Sequence, residues 1–268
     1  MADVYSAITS EALETQQRLS LALEVRAGDP KQQAMFRDYL QDMEFSVKSK
    51  ALDIGCGTGS ITRLLADSPR IESVTGIDPC SVFIERAQAK YAEHPAMTFE
   101  VGDGKHLPYK DMSFDVIISH TVLAHVPRCE AVLNEAFRVL KPGGWFSAFD
   151  GDYATATVAV GDHDPLQTCV NAAMENLVHD RWIVRKLSPL LSNAGFEVKT
   201  IKRHDYVRIT EPGYLMTLID RGADTLQEQG CIGPELVAAL KEEGRKREEQ
   251  GRFYGHIAYT SAIGQKPL

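Results

Sequence analysis

The stretch ALDIGCGTG, residues 51–59, places three alternating glycines directly after a short apolar run. Residues 51–54 are typical of the end of a buried strand, and residues 60–65, SITRLL, of the start of a helix with an apolar face. The glycines permit a sharp turn and let the main chain approach a ligand that a Cβ atom would repel. The sequence therefore predicts a strand–turn–helix unit that holds a nucleotide-like ligand.

The glycine spacing distinguishes this turn from a dinucleotide-binding turn. Dinucleotide folds use G-x-G-x-x-G, with a small third residue and a pyrophosphate over the helix N-terminus. Here the pattern is G-x-G-x-G, position 60 is Ser60, and Asp53 comes directly before the turn. Because a carboxylate repels a pyrophosphate and attracts a cation such as a sulfonium or an ammonium, these residues disfavour a nicotinamide-dependent dehydrogenase.

Acidic residues also end the next two predicted strands. Residues 73–78 end in Asp78, at the distance from the glycines where a carboxylate that binds a ribose is expected. Residues 98–103 end in Asp103, which could accept a hydrogen bond from an adenine amine. Each aspartate alone could equally cap a helix, but their order and spacing together favour a nucleoside site.

Five segments carry a resemblance to a known family. The chain resembles the class I S-adenosylmethionine-dependent methyltransferases, and in particular the methyltransferase domain 11 type, similar to the C-methyltransferases of ubiquinone and menaquinone biosynthesis. The segments are LDIGCGTG (52–59), GIDPC (76–80), VGDGKHLPY (101–109), FDVIISH (114–120) and RVLKPGGW (138–145). They cover roughly residues 50–152, and the resemblance does not identify the methyl acceptor.

The resemblance implies a cofactor, S-adenosylmethionine, with S-adenosylhomocysteine as its product. It places Asp53 and the glycine turn along the methionine part, Asp78 at the ribose, and Asp103 with Gly104 beside the adenine. The cofactor-binding residues that we predict are Asp53, Gly55, Gly57, Gly59, Asp78, Pro79, Asp103, Gly104 and Ser119.

The alternation of strand and helix patterns predicts an α/β fold with a mostly parallel, doubly wound, Rossmann-like sheet of seven strands. The resemblance adds an antiparallel edge built by the last two strands. The predicted strands lie near 50–54, 73–78, 97–102, 114–119, 144–150, 196–208 and 254–263.

Three segments fall outside this sheet and are predicted to form helical lids. We expect an N-terminal helical lid over residues 1–49, and a methyltransferase domain over 50–268 with helical insertions near 151–180 and 209–252. Apolar residues recur at helical spacing in 12–25, 35–43 and 214–219. Such a lid suits a hydrophobic acceptor or a helix-mediated homodimer, and the pattern does not choose between them.

Three residues near the ends of the fourth and fifth strands are candidates for catalysis. His120 ends the fourth strand, where it would act as a base, contact the acceptor or be a polar residue at the rim. His125 follows, either as a second candidate or as support for the loop. Asp152, with Asp150 and Tyr153, would bind an acceptor hydroxyl or amine, would position a base, or would cap its loop.

Composition excludes several classes of protein. A net charge of −8 over 268 residues disfavours binding to nucleic acid. No apolar run is long enough for a membrane span, and the first residues lack a secretory pattern, so a cytoplasmic location is expected. Five scattered cysteines and a lone His163 in GDHDP predict neither a disulfide framework nor a metal site.

Together these features predict a methyltransferase that acts on a small, hydrophobic metabolite. Transfer to oxygen, nitrogen or carbon stays open, as does the need for a general base, because a sulfonium is already an activated leaving group. The alternatives are a protein of the same fold that binds the cofactor without methyl transfer and, less favoured, a nicotinamide-dependent dehydrogenase.

Overall fold

The computed structural model describes residues 3–268, which form one seven-stranded sheet flanked by helices. The strands are β1 (Ser49–Ile54), β2 (Ile71–Asp78), β3 (Met97–Val101), β4 (Phe114–His120), β5 (Leu140–Thr157), β6 (Glu197–Ile209) and β7 (Tyr254–Gln265). The helices are α1 (Leu13–Gly28), α2 (Pro30–Leu40), α3 (Ser60–Ala66), α4 (Ser81–Lys90), α5 (Glu130–Val139), α6 (Pro165–Leu177), α7 (Leu187–Asn193), α8 (Tyr214–Glu228) and α9 (Pro234–Glu249).

The strand order is β3-β2-β1-β4-β5-β7-β6, and β7 alone runs antiparallel to both of its neighbours. The predicted Rossmann-like sheet with an antiparallel edge is therefore confirmed. Strand β1 pairs in parallel with β2 on one side and with β4 on the other, so the strand order reverses beside β1. Ligands of open α/β sheets bind at such a switch point, outside the carboxyl ends of the strands.

The two central strands are apolar on both faces. Leu52 and Ile54 of β1, and the run Val116–Ile118 of β4, are at most 2% exposed. Burial on both faces explains why these segments are continuous apolar runs rather than alternating ones. The polar residues that end β1, β2 and β4 thus lie at one edge of a rigid sheet.

Strand β5 extends further than the sequence predicted. It continues to Thr157, with Asp152 paired to Ala258 and, after a register shift, Thr157 paired to His256. Residues 151–157 of the predicted helical insertion are therefore strand. Helix α6 begins only at Pro165, where the Asp164 carboxylate accepts a hydrogen bond from the Leu166 backbone N–H at 3.0 Å.

A turn and a short 3-10 helix separate α6 from α7. Asp180 Oδ1 accepts a hydrogen bond from the Trp182 backbone N–H at 3.0 Å, which closes the turn, and the 3-10 helix follows at Ile183–Arg185. Helix α7 starts at Leu187. Gly195, with φ of +100°, follows its end.

The N-terminal segment forms two helices on the carboxyl edge of the sheet. They are separated at Asp29, whose carboxylate accepts from the Lys31 backbone N–H at 2.8 Å as the N-cap of α2. Helix α1 packs against α2, α3, α4 and α8. The first two residues of the predicted 1–49 lid lie outside the described residues, and the domain boundary at 49/50 stays a prediction.

Within residues 3–268, no helix is long and apolar enough to cross a membrane. The same part of the chain holds no cluster of three or more histidine, cysteine, aspartate or glutamate side chains that could bind a metal ion. His163 lies in a turn with φ of +59°.

Candidate functional site

A cavity of about 400 Å³ lies at the carboxyl ends of β1, β2 and β4. Its floor is the glycine turn after β1, and its walls are the loops after β2, β3 and β4. Residues of the N-terminal segment, including Tyr5, Ile8 and Leu23, cover it from the other side. The cavity is thus enclosed between the sheet edge and the segment that precedes the sheet.

The three glycines of the turn all have positive φ, of +74°, +53° and +79°. A Cβ atom on Gly55 would lie 2.5 Å from Val122, and one on Gly59 would lie 2.6 Å from Phe99. At Gly57, which lines the cavity, a Cβ would meet only Leu23, at 3.1 Å. Gly55 and Gly59 therefore allow close packing of the turn, whereas Gly57 leaves room on the cavity side.

Asp78 ties the end of β2 to this turn. Its carboxylate accepts hydrogen bonds from the backbone N–H groups of Gly57 and Cys80, each at 2.9 Å. The side chain lines the cavity together with Pro79. Burial raises the pKa of Asp78 to about 6. Asp78 therefore both caps the following turn and presents a carboxylate to the cavity.

Asp53 is a buried carboxylate with one oxygen unpaired. Oδ2 accepts a hydrogen bond from Thr62 Oγ1 at 2.7 Å, and Oδ1 has no partner among residues 3–268. The side chain lines the cavity. Burial, with the nearby charge of Asp78, raises the pKa of Asp53 to about 7. A cation in the cavity would favour the ionised form of this carboxylate.

Asp103 and Gly104 lie at the wall of the cavity, after β3. Asp103 Oδ1 accepts a hydrogen bond from the Lys105 backbone N–H at 2.9 Å. A Cβ on Gly104 would lie 2.7 Å from Ile54, so a side chain there would displace the end of β1.

Three residues of the predicted site do not line the cavity. Gly59 turns away from it toward Phe99, and Ser119 is buried within β4, where its hydroxyl has no partner among the described residues. Asp152 accepts two hydrogen bonds from Arg185, at 3.0 and 3.1 Å, and so forms an ion pair outside the cavity. The geometry thus separates Asp152 from the other candidates, because β5 has already passed the sheet edge there.

His120 ends β4 and lines the cavity. Its Nδ1 atom lies 3.0 Å from the hydroxyl of Tyr39, and its ring stacks on Phe149 with centroids 4.4 Å apart. Burial, followed by the charge of Arg26, holds the pKa of His120 well below its usual range. The imidazole is therefore neutral at neutral pH.

His125 lies on the loop after β4 and also lines the cavity. Its Nδ1 atom is 2.9 Å from Oδ2 of Asp3, and the same carboxylate accepts from the His179 backbone N–H at 2.8 Å. The His125 ring lies beside that of Tyr5, with centroids 4.8 Å apart. These contacts hold the start of the described chain against the loop that follows β4.

Sequence reasoning did not find Arg26, a cavity residue of α1. Its Nη2 donates to Thr121 Oγ1 at 2.6 Å, and the guanidinium lies over the ring of Tyr214. Within the described chain, no carboxylate lies within ion-pair distance of it. The available signal was a charged residue directly after the apolar residues of 12–25, in the segment predicted as a helical lid.

Comparison with known proteins places this site in a family. Residues 52–148 match the family described as a methyltransferase domain. Squalene methyltransferase 1 of Botryococcus braunii is 36% identical over 215 residues, which cover 74% of this chain and 53% of that protein. Sterol 24-C-methyltransferase erg6 of Aspergillus fumigatus is 35% identical over 180 residues, 64% of this chain and 46% of that protein. The chain thus spans about half the length of these curated relatives.

Solved structures share the fold. A methyltransferase candidate from Bacillus halodurans gives a TM-score of 0.62 at 20% identity, covering 87% of this chain and 99% of that one. Phosphoethanolamine N-methyltransferase 2 of Haemonchus contortus, solved in complex with S-adenosyl-L-methionine, gives 0.54 at 15% identity, covering 90% and 53%.

The sheet order, the glycine turn and the acids at the strand ends define a class I methyltransferase fold. The match over residues 52–148 identifies this part of the chain as a member of the methyltransferase domain family. The predicted resemblance is therefore confirmed.

Proposed function

We propose that the protein is an S-adenosylmethionine-dependent methyltransferase that acts on a small acceptor in the cavity above β1, β2 and β4. The observation that carries the proposal is the convergence of the glycine turn with Asp53, Asp78 and Asp103 on that one cavity, inside the segment that matches the methyltransferase family.

The side chains that line the cavity suit the chemical groups of this cofactor. Asp53, with its unpaired oxygen, suits the positive amino and sulfonium groups, and Asp78 with Pro79 suits a ribose. Asp103 and Gly104 would lie against the adenine. The guanidinium of Arg26 lacks a carboxylate partner in the described chain, and the carboxylate of the cofactor would supply one.

When bound, the cofactor supplies a methyl group on a positively charged sulfur, which leaves as a neutral thioether once an acceptor lone pair attacks the methyl carbon. The chain has to hold the two reactants in line and exclude water. Tyr5, Ile8 and Leu23 perform the exclusion, since they cover the cavity opposite the sheet. His120 and Thr121, at the end of β4, are placed to orient the acceptor.

The size of the cavity limits the acceptor. Ligand pockets span roughly 300–1,000 Å³, so about 400 Å³ is near the lower end, and the cofactor takes much of it. Apolar side chains, among them Val122, Val126 and Val132, line the part beside β4. A small hydrophobic metabolite fits this closed form, whereas an acceptor of sterol length requires the N-terminal segment to move.

Calorimetry tests the cofactor assignment. We expect S-adenosylmethionine and S-adenosylhomocysteine to bind and NAD not to bind. Asp78→Ala should weaken binding by about 1–3 kcal/mol, because it removes hydrogen bonds to the ribose and to the turn. Asp152→Ala, which changes an aspartate outside the cavity, is the matched control and should bind like the wild type.

Methyl transfer is tested separately by incubating the protein with a metabolite extract and isotope-labelled S-adenosylmethionine. Mass spectrometry should detect a labelled product heavier than its precursor by one methylene unit. Binding without any labelled product would instead favour a cofactor-binding protein of the same fold. Preferential binding of NAD would contradict the proposal altogether.

A further inference from the structure

The hydroxyl of Tyr39 has a single polar partner. Tyr39 is fully buried, does not line the cavity, and forms one side-chain hydrogen bond among residues 3–268, to Nδ1 of His120 at 3.0 Å. Its ring stacks on Phe149, which holds the hydroxyl in this position. The hydrogen bond between Tyr39 and His120 can run in either direction, and each direction gives His120 a different chemical role.

If Nδ1 carried the proton and donated to Tyr39, the phenol hydrogen would be buried without an acceptor. A buried donor left unpaired is strongly unfavourable. If the phenol donates to Nδ1 instead, both groups are satisfied and the ring proton resides on Nε2. Burial also raises the pKa of Tyr39 well above its usual range, so the phenol keeps its proton.

The other ring nitrogen is open to the cavity. His120 lines the cavity, its Nε2 forms no hydrogen bond within residues 3–268, and that atom is not among the enclosed polar atoms without partners. Nε2 is therefore the atom that a bound acceptor meets.

We infer that His120 presents an Nε2–H hydrogen-bond donor to the methyl acceptor, fixed in that tautomer by Tyr39, and that the acceptor carries a carbonyl or anionic oxygen at this position. The inference rests on the proposed function for its acceptor. His120 is then not a general base, because its only free nitrogen already holds a proton.

The surrounding charges agree with a neutral donor. The titratable or charged groups near the His120 ring are Tyr39 of α2, Arg26 of α1 and His204 of β6. Burial and Arg26 both disfavour a second proton on the ring. A hydrogen bond lowers the nucleophilicity of the oxygen that accepts it, which favours methylation at a different atom of the acceptor. Enolates and phenolates have such an atom, a nucleophilic carbon two bonds from the oxygen.

Nitrogen-15 NMR of histidine-labelled protein saturated with S-adenosylhomocysteine tests the tautomer without any need for turnover. His120→Gln identifies the His120 signals by their loss. We expect a directly bonded proton on Nε2 and none on Nδ1 between pH 6 and 8. Tyr39→Phe, which removes one oxygen atom from the core, should move part of the proton to Nδ1. A proton on Nδ1 in the wild type, or an unchanged tautomer in Tyr39→Phe, overturns the inference.

A pair of probes tests the acceptor class. In the same saturated protein, p-nitrophenolate should bind at least about 10-fold more tightly than nitrobenzene, which lacks the phenolate oxygen. His120→Ala should remove this preference and His120→Gln should keep most of it, since the Gln amide can still donate near the position of Nε2. Equal affinity of the wild type for both probes, including failure of both to bind, overturns the inference that the acceptor carries a carbonyl or anionic oxygen. Loss of S-adenosylhomocysteine binding in the wild type would instead count against the proposed function.

Discussion

At the scale of single residues, burial makes the ionised form of Asp53 unfavourable. Its side chain is buried, and its pKa of about 7 lies far above the value near 4 of an exposed aspartate. Between those two values the folded protein holds a proton that the unfolded chain has released. The free energy of unfolding therefore falls as pH rises through this window.

Asp53→Asn should remove this fall in the free energy of unfolding, because an asparagine does not titrate. At pH 8 without cofactor, we expect the variant to be more stable than the wild type by roughly 1–3 kcal/mol, because an amide has no charge to desolvate. The asparagine can still accept from Thr62. Near pH 4.5 the two proteins should be equally stable, and urea unfolding at both pH values measures this. Cofactor affinity should fall in the variant. A wild type that stays the more stable protein at pH 8 would contradict the raised pKa.

Gly57 gives a second test at this scale. Gly57→Val should abolish cofactor binding in a folded protein, because the side chain would occupy the cavity side of the turn and oppose a φ of +53°. Gly230→Val is a matched control, since Gly230 also has positive φ, at +71°, and its Cβ would meet no atom within 4 Å. Circular dichroism should show that both variants are folded. Calorimetry should show that only Gly57→Val loses cofactor binding. Retained binding would mean that the cofactor does not pass over Gly57.

The sequence predicted the cavity residues at the ends of strands, and missed those that distant helices contribute. Asp53 and Asp78 lie in the last two positions of β1 and β2, and Asp103 follows β3, so their place at the sheet edge follows from strand geometry alone. Arg26 reaches Thr121 across 95 positions, and Tyr39 reaches His120 across 81. No local pattern encodes such contacts, because they depend on how α1 and α2 pack over the edge.

At the scale of elements, α6 and α9 are joined through one buried ion pair. Arg247 of α9 donates to both oxygens of Asp164, at 2.6 and 3.0 Å, and both side chains are under 10% exposed. Asp164 also caps α6 through the Leu166 backbone N–H. Charged residues crowd the end of α9, a pattern typical of a solvated helix face, and such a pattern cannot reveal that the cation of Arg247 is buried.

Arg247→Met should therefore lower the free energy of unfolding by about 3–5 kcal/mol, since the carboxylate would stay buried without its partner. Arg245→Met is the matched control on the same helix. Arg245 pairs with Asp220 at 3.2 Å but is 45% exposed, so its loss should cost about 0–1 kcal/mol. Denaturant unfolding of both variants measures the difference. Similar small losses would show that the Arg247 pair contributes no more than a surface contact.

At the scale of the whole molecule, the sheet edge and the N-terminal segment enclose the cavity together. The sequence predicted the sheet well, because parallel strands and their helices leave strong periodic patterns. It predicted helices in the first 49 residues but not the contacts that hold this segment against the rest of the protein. Asp3 makes several of these contacts: its carboxylate accepts hydrogen bonds from the backbone N–H groups of Tyr5 and of His179, which follows α6, and lies 2.9 Å from Nδ1 of His125 on the loop after β4.

Asp3 is expected to control how fast the cofactor enters and leaves. Its carboxylate is buried and joins the loop after β4 to the segment that includes the cavity residues Tyr5 and Ile8. These residues cover part of the cavity, so opening of the segment is expected to widen the path by which the cofactor enters and leaves. Asp3→Ala should raise the dissociation rate of S-adenosylhomocysteine by roughly 3–30-fold, because one or two hydrogen bonds that hold the segment are lost. The variant should also speed amide exchange in residues 3–12.

Glu14→Ala, an exposed change on α1, is the control and should leave the dissociation rate unchanged. Stopped-flow displacement gives the rate, and hydrogen exchange with mass spectrometry gives the local opening. The two effects should appear together, because a segment that opens more often releases the ligand more often. Faster exchange with an unchanged dissociation rate would show that the cofactor leaves by another route, and that Asp3 merely orders the segment.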